Sequence, residues 1–199
     1  MTEPIDLGLL ARLAAVVDEA TAAMEAYNYT RALEVSEAFF WSFCDDYVEL
    51  VKSRAYGDDA AARSAQAALA LALSVQLRLF APVLPFVTEE VWSWWQEGSV
   101  HRAPWPDVHE LATSAEVDPQ VLSVASDVIG SIRRAKSEQK LSIRTEVESM
   151  SVQAGPEALE ALRAALSDVQ AAGRVRDVEL VPSEDGELVT TVGGPAATV

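Results

Sequence analysis

The chain has 199 residues, half of them hydrophobic, with 31 acidic against 15 basic side chains and a net charge of −16. That length holds one large domain or two small ones with a real core, and the charge excludes a broadly basic nucleic-acid binder, so any RNA contact must come from local clusters. No run of about 18 apolar residues is present, the start Met1-Thr-Glu-Pro is no signal peptide, and the lone cysteine, Cys44, cannot form an intrachain disulfide; together these predict a cytoplasmic protein with no membrane contact.

Residues 4–26 read as a first helix with Leu9, Leu10, Leu13, Val16, Val17 and Ala20 on its apolar face and Asp6 available as a cap. Residues 27–57 read as one long helix, capped by Asn28 or Thr30 and ended by Gly57. Leu33, Phe40, Cys44, Tyr47 and Val51 form one apolar stripe; Val35, Phe39, Phe43 and Leu50 form the next. Two adjacent stripes predict a central rod covered on more than one side. Asp58 or Asp59 then caps an alanine-rich helix to about Phe80, whose small residues suit close packing. Pro82 and Pro85 break the chain. A short helix opens at Thr88-Glu89-Glu90 and ends at Gly98. Ser99–Pro106 reads as an extended strap anchored by Trp105.

Asp118-Pro119 starts a helix to about Gln139, with Pro119 at its first position. Past Lys140 the period becomes that of a strand at Val147–Val152. An amphipathic helix at Pro156–Ala172, a strand at Val175–Val181, a turn at Ser183–Gly186 and a strand at Glu187–Val192 follow. The fold class is therefore mainly α: a helical bundle over residues 1–140, then a small α+β subdomain over 141–199, frayed from Gly193.

Signatures for phosphate-binding glycine loops are absent. His101 and His109 are too isolated to suggest a metal centre, and Asp45, Asp46 and Glu49 read as a solvated helix face paired with Lys52. The informative feature is basic: Arg133, Arg134, Lys136, Lys140 and Arg144 fall within twelve positions, opposed only by Glu138. A helix C-terminus favours cations, but only over its last turn. Lys52 and Arg54 form a smaller basic site. Of the aromatics at Phe39-Phe40-Trp41, those left exposed could stack on unpaired bases. The candidate RNA-binding residues are Lys52, Arg54, Arg133, Arg134 and Lys136 for phosphates, and Phe40 and Trp41 for stacking.

Four segments in order carry a resemblance: residues 39–52 (Phe-Phe-Trp-Ser-Phe-Cys-Asp-Asp-Tyr-Val-Glu-Leu-Val-Lys), 81–92 (Ala-Pro-Val-Leu-Pro-Phe-Val-Thr-Glu-Glu-Val-Trp), 98–106 (Gly-Ser-Val-His-Arg-Ala-Pro-Trp-Pro) and 128–136 (Val-Ile-Gly-Ser-Ile-Arg-Arg-Ala-Lys). They resemble the anticodon-binding domain of class I aminoacyl-tRNA synthetases of the branched-aliphatic group. The Tyr27–Leu33 entry and the Phe-Cys-Asp segment look most like the valine-specific branch, with the isoleucine and leucine branches as alternatives. The resemblance implies a domain that holds the anticodon stem-loop of tRNA(Val) beside a catalytic domain of the same polypeptide. It implies no cofactor in this chain, ATP and magnesium in the parent, no catalytic residue or metal site here, and a monomer. The catalytic His-Ile-Gly-His and Lys-Met-Ser-Lys-Ser signatures are absent from these residues. The rival reading is a helical protein–protein interaction scaffold.

Overall fold

The computed structural model describes residues 1–112, 118, 120–183 and 185–196. It is mainly helical, with a three-stranded sheet near the end of the chain. Helix α1 (Pro4–Glu25) is followed by α2 (Tyr29–Ser42), a π-helical turn (Phe43–Tyr47) and α3 (Val48–Ala55), which together form the expected rod. Asn28 caps α2, its side chain accepting from the Arg31 N–H at 3.2 Å. The π turn has a packing reason. Each i+4 step in an α-helix overshoots one turn by about 40°. Widening the turn keeps Phe39, Phe43 and Tyr47 on one buried line, with ring centroids 6.3 and 5.9 Å apart.

Asp6 does not cap α1. The N-cap residue is Glu3, without a side-chain cap, and Asp6 is fully buried instead. Asp59 caps α4 (Ala60–Phe80), accepting from the Ala62 N–H at 2.7 Å. Ala62, Ala65, Ala68 and Ala72 of α4 are fully buried. Helix α5 (Pro85–Ser93) begins at Pro85, not Thr88, because proline suits a first turn whose N–H is unpaired anyway. Thr88 is buried and its hydroxyl donates to Leu84 O at 2.8 Å.

The Ser99–Pro106 strap is not wholly extended, since Val100–Arg102 makes a 3₁₀ turn. Glu89 fastens it, accepting from Ser99 Oγ at 2.9 Å and Val100 N at 3.0 Å. Trp105 is half-buried rather than a core residue, and its Nε1 donates to Thr21 Oγ1 of α1 at 2.8 Å. A second 3₁₀ turn (Val108–Leu111) carries a capping box between Asp107 and Glu110. Glu110 also receives the buried Arg78 guanidinium in two bonds of 2.9 and 2.7 Å, and this holds its pKa below the usual glutamate value.

Helix α6 (Gln120–Glu138) packs Val121, Val124, Ala125, Val128, Ile129 and Ile132 inward, and Asp118 accepts from the Gln120 N–H. The expected role of Pro119 lies outside the described residues. Strand β1 (Val147–Ala154) is followed by α7 (Pro156–Gly173), β2 (Val175–Pro182) and β3 (Val189–Val192). The order is β2-β1-β3: α7 crosses over between parallel β1 and β2, and β3 is antiparallel to β1. Residues 193–196 are not frayed. Gly193 N donates to Ser149 O, Ala196 N to Glu146 O, and Pro195 bridges Val147. Leucines and valines of α7 and β1 join one apolar cluster with α1, α2, α4 and α6.

Candidate nucleic-acid interface

Five cations were expected at the RNA face, and the fold gives them different surroundings. Arg54 turns inward from the end of α3. Its Nη1 and Nη2 donate to Asp6 of α1 at 3.0 and 2.8 Å, its Nε and Nη2 donate to Asp168 of α7 at 3.0 Å each, and Nη1 also reaches Ala61 O at 2.7 Å. The Tyr47 hydroxyl donates to Asp6 Oδ1 at 2.8 Å. Burial alone would lower the Arg54 pKa, but hydrogen bonds to the two carboxylates override this and raise it. Burial pushes Tyr47 up, as does Asp6 beside it. Burial also holds Asp168 above the usual aspartate value, although Arg54 pulls against it. Every face of this guanidinium is occupied, so Arg54 is withdrawn as a phosphate ligand.

Lys136 is withdrawn for a similar reason. Its side chain is 2% exposed and its ammonium donates to Ile143 O, Thr145 O and Gly173 O at 3.1, 2.7 and 2.8 Å. Burial pushes its pKa down, and Arg174 nearby adds to this. Three carbonyls from the α6–β1 loop and the end of α7 thus converge on one ammonium. Lys136 is the peg that shapes this corner, and the cations around it face outward.

Those cations are Arg134, Lys140, Arg144 and Arg174, all exposed. Arg174 Nη1 donates to Arg144 O at 3.1 Å, joining two turns that are 30 residues apart in the chain. Arg174 was not legible as a candidate, because in the sequence it stands 30 residues from Arg144, with only Arg176 beside it. It adopts the left-handed conformation (φ 51°). Glycine would serve better there, but the glycine is one residue earlier. Gly173 lies against α6, where an added Cβ would stand 2.8 Å from Ile132 Cδ1. A shallow cleft of about 550 Å³ beside Arg174 is lined by Ser53, Glu146, Gln170, Ala171 and Val175. Lys52, next to Ser53 in sequence, is exposed and paired with Glu49.

Arg133 points the other way. It donates to Asp45 O at 2.6 Å and to Asp46 at 3.3 Å, beside the π turn. Burial raises the Asp46 pKa against the pull of Arg133. A second cleft, of about 590 Å³, brings Arg133 together with Arg12, Trp41, Asp45, Asp127 and Ser126. Trp41 is 55% exposed, and Ser126 Oγ is buried without a partner. Phe40 is half-buried, edge-on to Phe80 at 5.8 Å and to Trp41 at 5.4 Å. Phe40 is thus engaged by protein rings on two sides, and Trp41 is the more exposed of the two.

These features define a helical module with exposed cations at the end of α6, in the α6–β1 loop and between α7 and β2. Comparison with known proteins makes the class specific. The family described as anticodon-binding domain of tRNA ligase matches residues 6–151, and the chain belongs to that family. It is 53% identical over 201 residues to the valine–tRNA ligase of Salinispora tropica, covering 92% of this chain and 23% of that protein. It is 55% identical over 190 residues to the valine–tRNA ligase of Thermobifida fusca, covering 94% of this chain and 21% of that protein. The Cutibacterium acnes valine–tRNA ligase is 46% identical over 202 residues, covering 99% of this chain and 23% of that protein. The chain thus spans less than a quarter of the length of these relatives. No helix among the described residues is long and apolar enough to cross a membrane.

Proposed function

We propose that this chain holds the anticodon stem and loop of a valine-accepting tRNA, as one part of a valine–tRNA ligase. In this reading the remaining polypeptide carries the catalytic domain and handles ATP and magnesium, and the assembly is a cytoplasmic monomer. The observation that carries it is the outward-facing set Arg134, Lys140, Arg144 and Arg174 in a chain of net charge −16 that belongs to an anticodon-binding family. A polyanion meets long-range repulsion here, but salt screens that over about 8 Å at physiological strength, so a local cluster can act. Phosphates of the stem contact this rim and Lys52, which positions the RNA without reading it. An unpaired base stacks on Trp41, where Arg12 and Arg133 supply donors and Asp45 and Asp127 supply acceptors.

The test is titration of the valine tRNA anticodon stem-loop across a salt series. Changing Arg134, Arg144 and Arg174 together to glutamine should lower affinity and flatten the slope of log K against log salt by about two to three. Equal affinity and slope for both proteins would refute the rim. Trp41→Ala should weaken binding at every salt concentration and leave the slope unchanged.

A further inference from the structure

The apolar stripe Leu33, Phe40, Cys44, Tyr47 and Val51 of the α2–α3 rod is buried at Tyr47 and Val51 but open at its start. Leu33 and Phe40, expected to be packed by a neighbouring helix, instead line an open groove of about 530 Å³. Its other walls are Leu73, Leu77 and Phe80 of α4, and Val83, Leu84 and Val87 leading into α5. Leu84 and Val83 are 46% exposed and Val87 is 54% exposed on the open wall of the groove. Contiguous apolar surface of this kind marks an interaction site.

The charges around it select the occupant. Among the described residues no lysine or arginine lines the groove, and the one charged lining residue is Glu37, which accepts from Trp41 Nε1. Glu90 stands beside Trp94, accepting from its indole N–H at 3.2 Å. An RNA backbone needs cations that this surface lacks. A second copy of the chain would bring another −16 and the same acidic rim. A protein segment with aliphatic or aromatic anchors at helical spacing and basic flanks meets both requirements. More than three quarters of the length of the relatives lies outside the region matched here, so such a segment has an available source.

We propose that this groove seats an apolar, basic-flanked segment from the rest of the ligase polypeptide, docking the module against its parent. This rests on the reading that the chain works as one part of a ligase, but not on where RNA binds.

Hydroxyl-radical footprinting tests it. The chain alone, at two concentrations and with and without valine tRNA, is compared with the Thermobifida fusca ligase into which this chain is exchanged for the segment it matches. Oxidation of Val83, Leu84 and Val87 should fall at least fivefold in the full-length protein. Tyr56, 91% exposed and about 24 Å along the rod from Phe40, should be unchanged. Equal oxidation in both contexts overturns the proposal, protection by tRNA alone makes the groove an RNA site, and protection that grows with concentration makes it a self-association face; either of the last two also overturns it. A second measurement uses Val87→Glu, on the groove wall at a position 54% exposed, with the melting temperature of the variant chain compared with that of the unchanged one. In the full-length protein it should raise KM for tRNA severalfold at unchanged valine-dependent pyrophosphate exchange; an unchanged KM argues against docking there. Failure of tRNA binding by the chain alone would instead count against the function, with the Leu84 and Val87 footprint unaffected.

Discussion

Two clusters of cations lie at opposite ends of one design problem. Arg54 and Lys136 are enclosed, each surrounded by oxygen atoms from several elements. Arg134 on α6 stands in solvent, as do Lys140, Arg144 and Arg174 on the turns whose carbonyls Lys136 gathers. The difference teaches that a basic residue can act through the backbone it gathers, with no donor turned to the surface. Desolvation decides which role each takes: a buried cation is tolerated only when its donors are satisfied, and satisfied donors have nothing left for a ligand.

The enclosed cluster should break most severely at Arg54. Arg54→Ala leaves Asp6 and Asp168 buried without their counter-ion and should cost about 3–5 kcal/mol in urea unfolding. Arg54→Lys should recover only part of this, because a point charge cannot fork between two carboxylates. A change below 1 kcal/mol would show that water replaces the guanidinium. Lys136→Met should cost about 2–3 kcal/mol, since three carbonyls lose a charged donor. Near-wild-type salt dependence of RNA binding, after correction for the unfolded fraction, would sharpen the contrast with the rim; a slope that drops by a full unit would place Lys136 on phosphate.

Trp105→Ala should cost about 2–3 kcal/mol by thermal or chemical unfolding, less than a fully buried tryptophan, because the ring is half-buried and its N–H loses Thr21. An unchanged melting temperature would mean the strap is held by Glu89 alone.

The pH profile separates two acids. Folding favours protonated Asp168, so its contribution is full below the ordinary aspartate value of about 3.9 and is lost as pH rises through the raised folded value. Glu110 runs the opposite way: its pKa is lowered, so its contribution is present above the ordinary glutamate value and is lost as pH falls through the folded one. Asp168→Asn should steepen the rise of stability with pH in the acid range, and Glu110→Gln should flatten it. Identical slopes in both variants would refute the assignment. The smallest effect is expected on the exposed side. Arg174→Gly relieves a left-handed residue and should leave stability unchanged or raise it by up to about 1 kcal/mol, while weakening RNA binding.

Much of the fold was legible in the residues. Helical spacing gave α1, the rod and α6, and Asn28 and Asp59 were readable caps because their side chains act on the next turn. The alternation at Val147–Val152 and Val175–Val181 gave two strands, since period 2 depends only on neighbours in sequence. The strand-like pairing of residues 193–196 was missed, because glycine and proline there show no pattern and the partner atoms belong to β1.

The sequence alone determined the helical bundle, its appended α+β unit and the concentration of positive charge near the end of α6. Those follow from local periodicity and composition. Only the tertiary structure decided which charges are available. Asp6 meets Arg54 across 48 residues, Asp168 meets it across 114, and Arg174 joins Arg144 across 30. Side-chain exposure depends on which distant elements arrive within hydrogen-bond reach, and that reach is set by packing rather than by position along the chain.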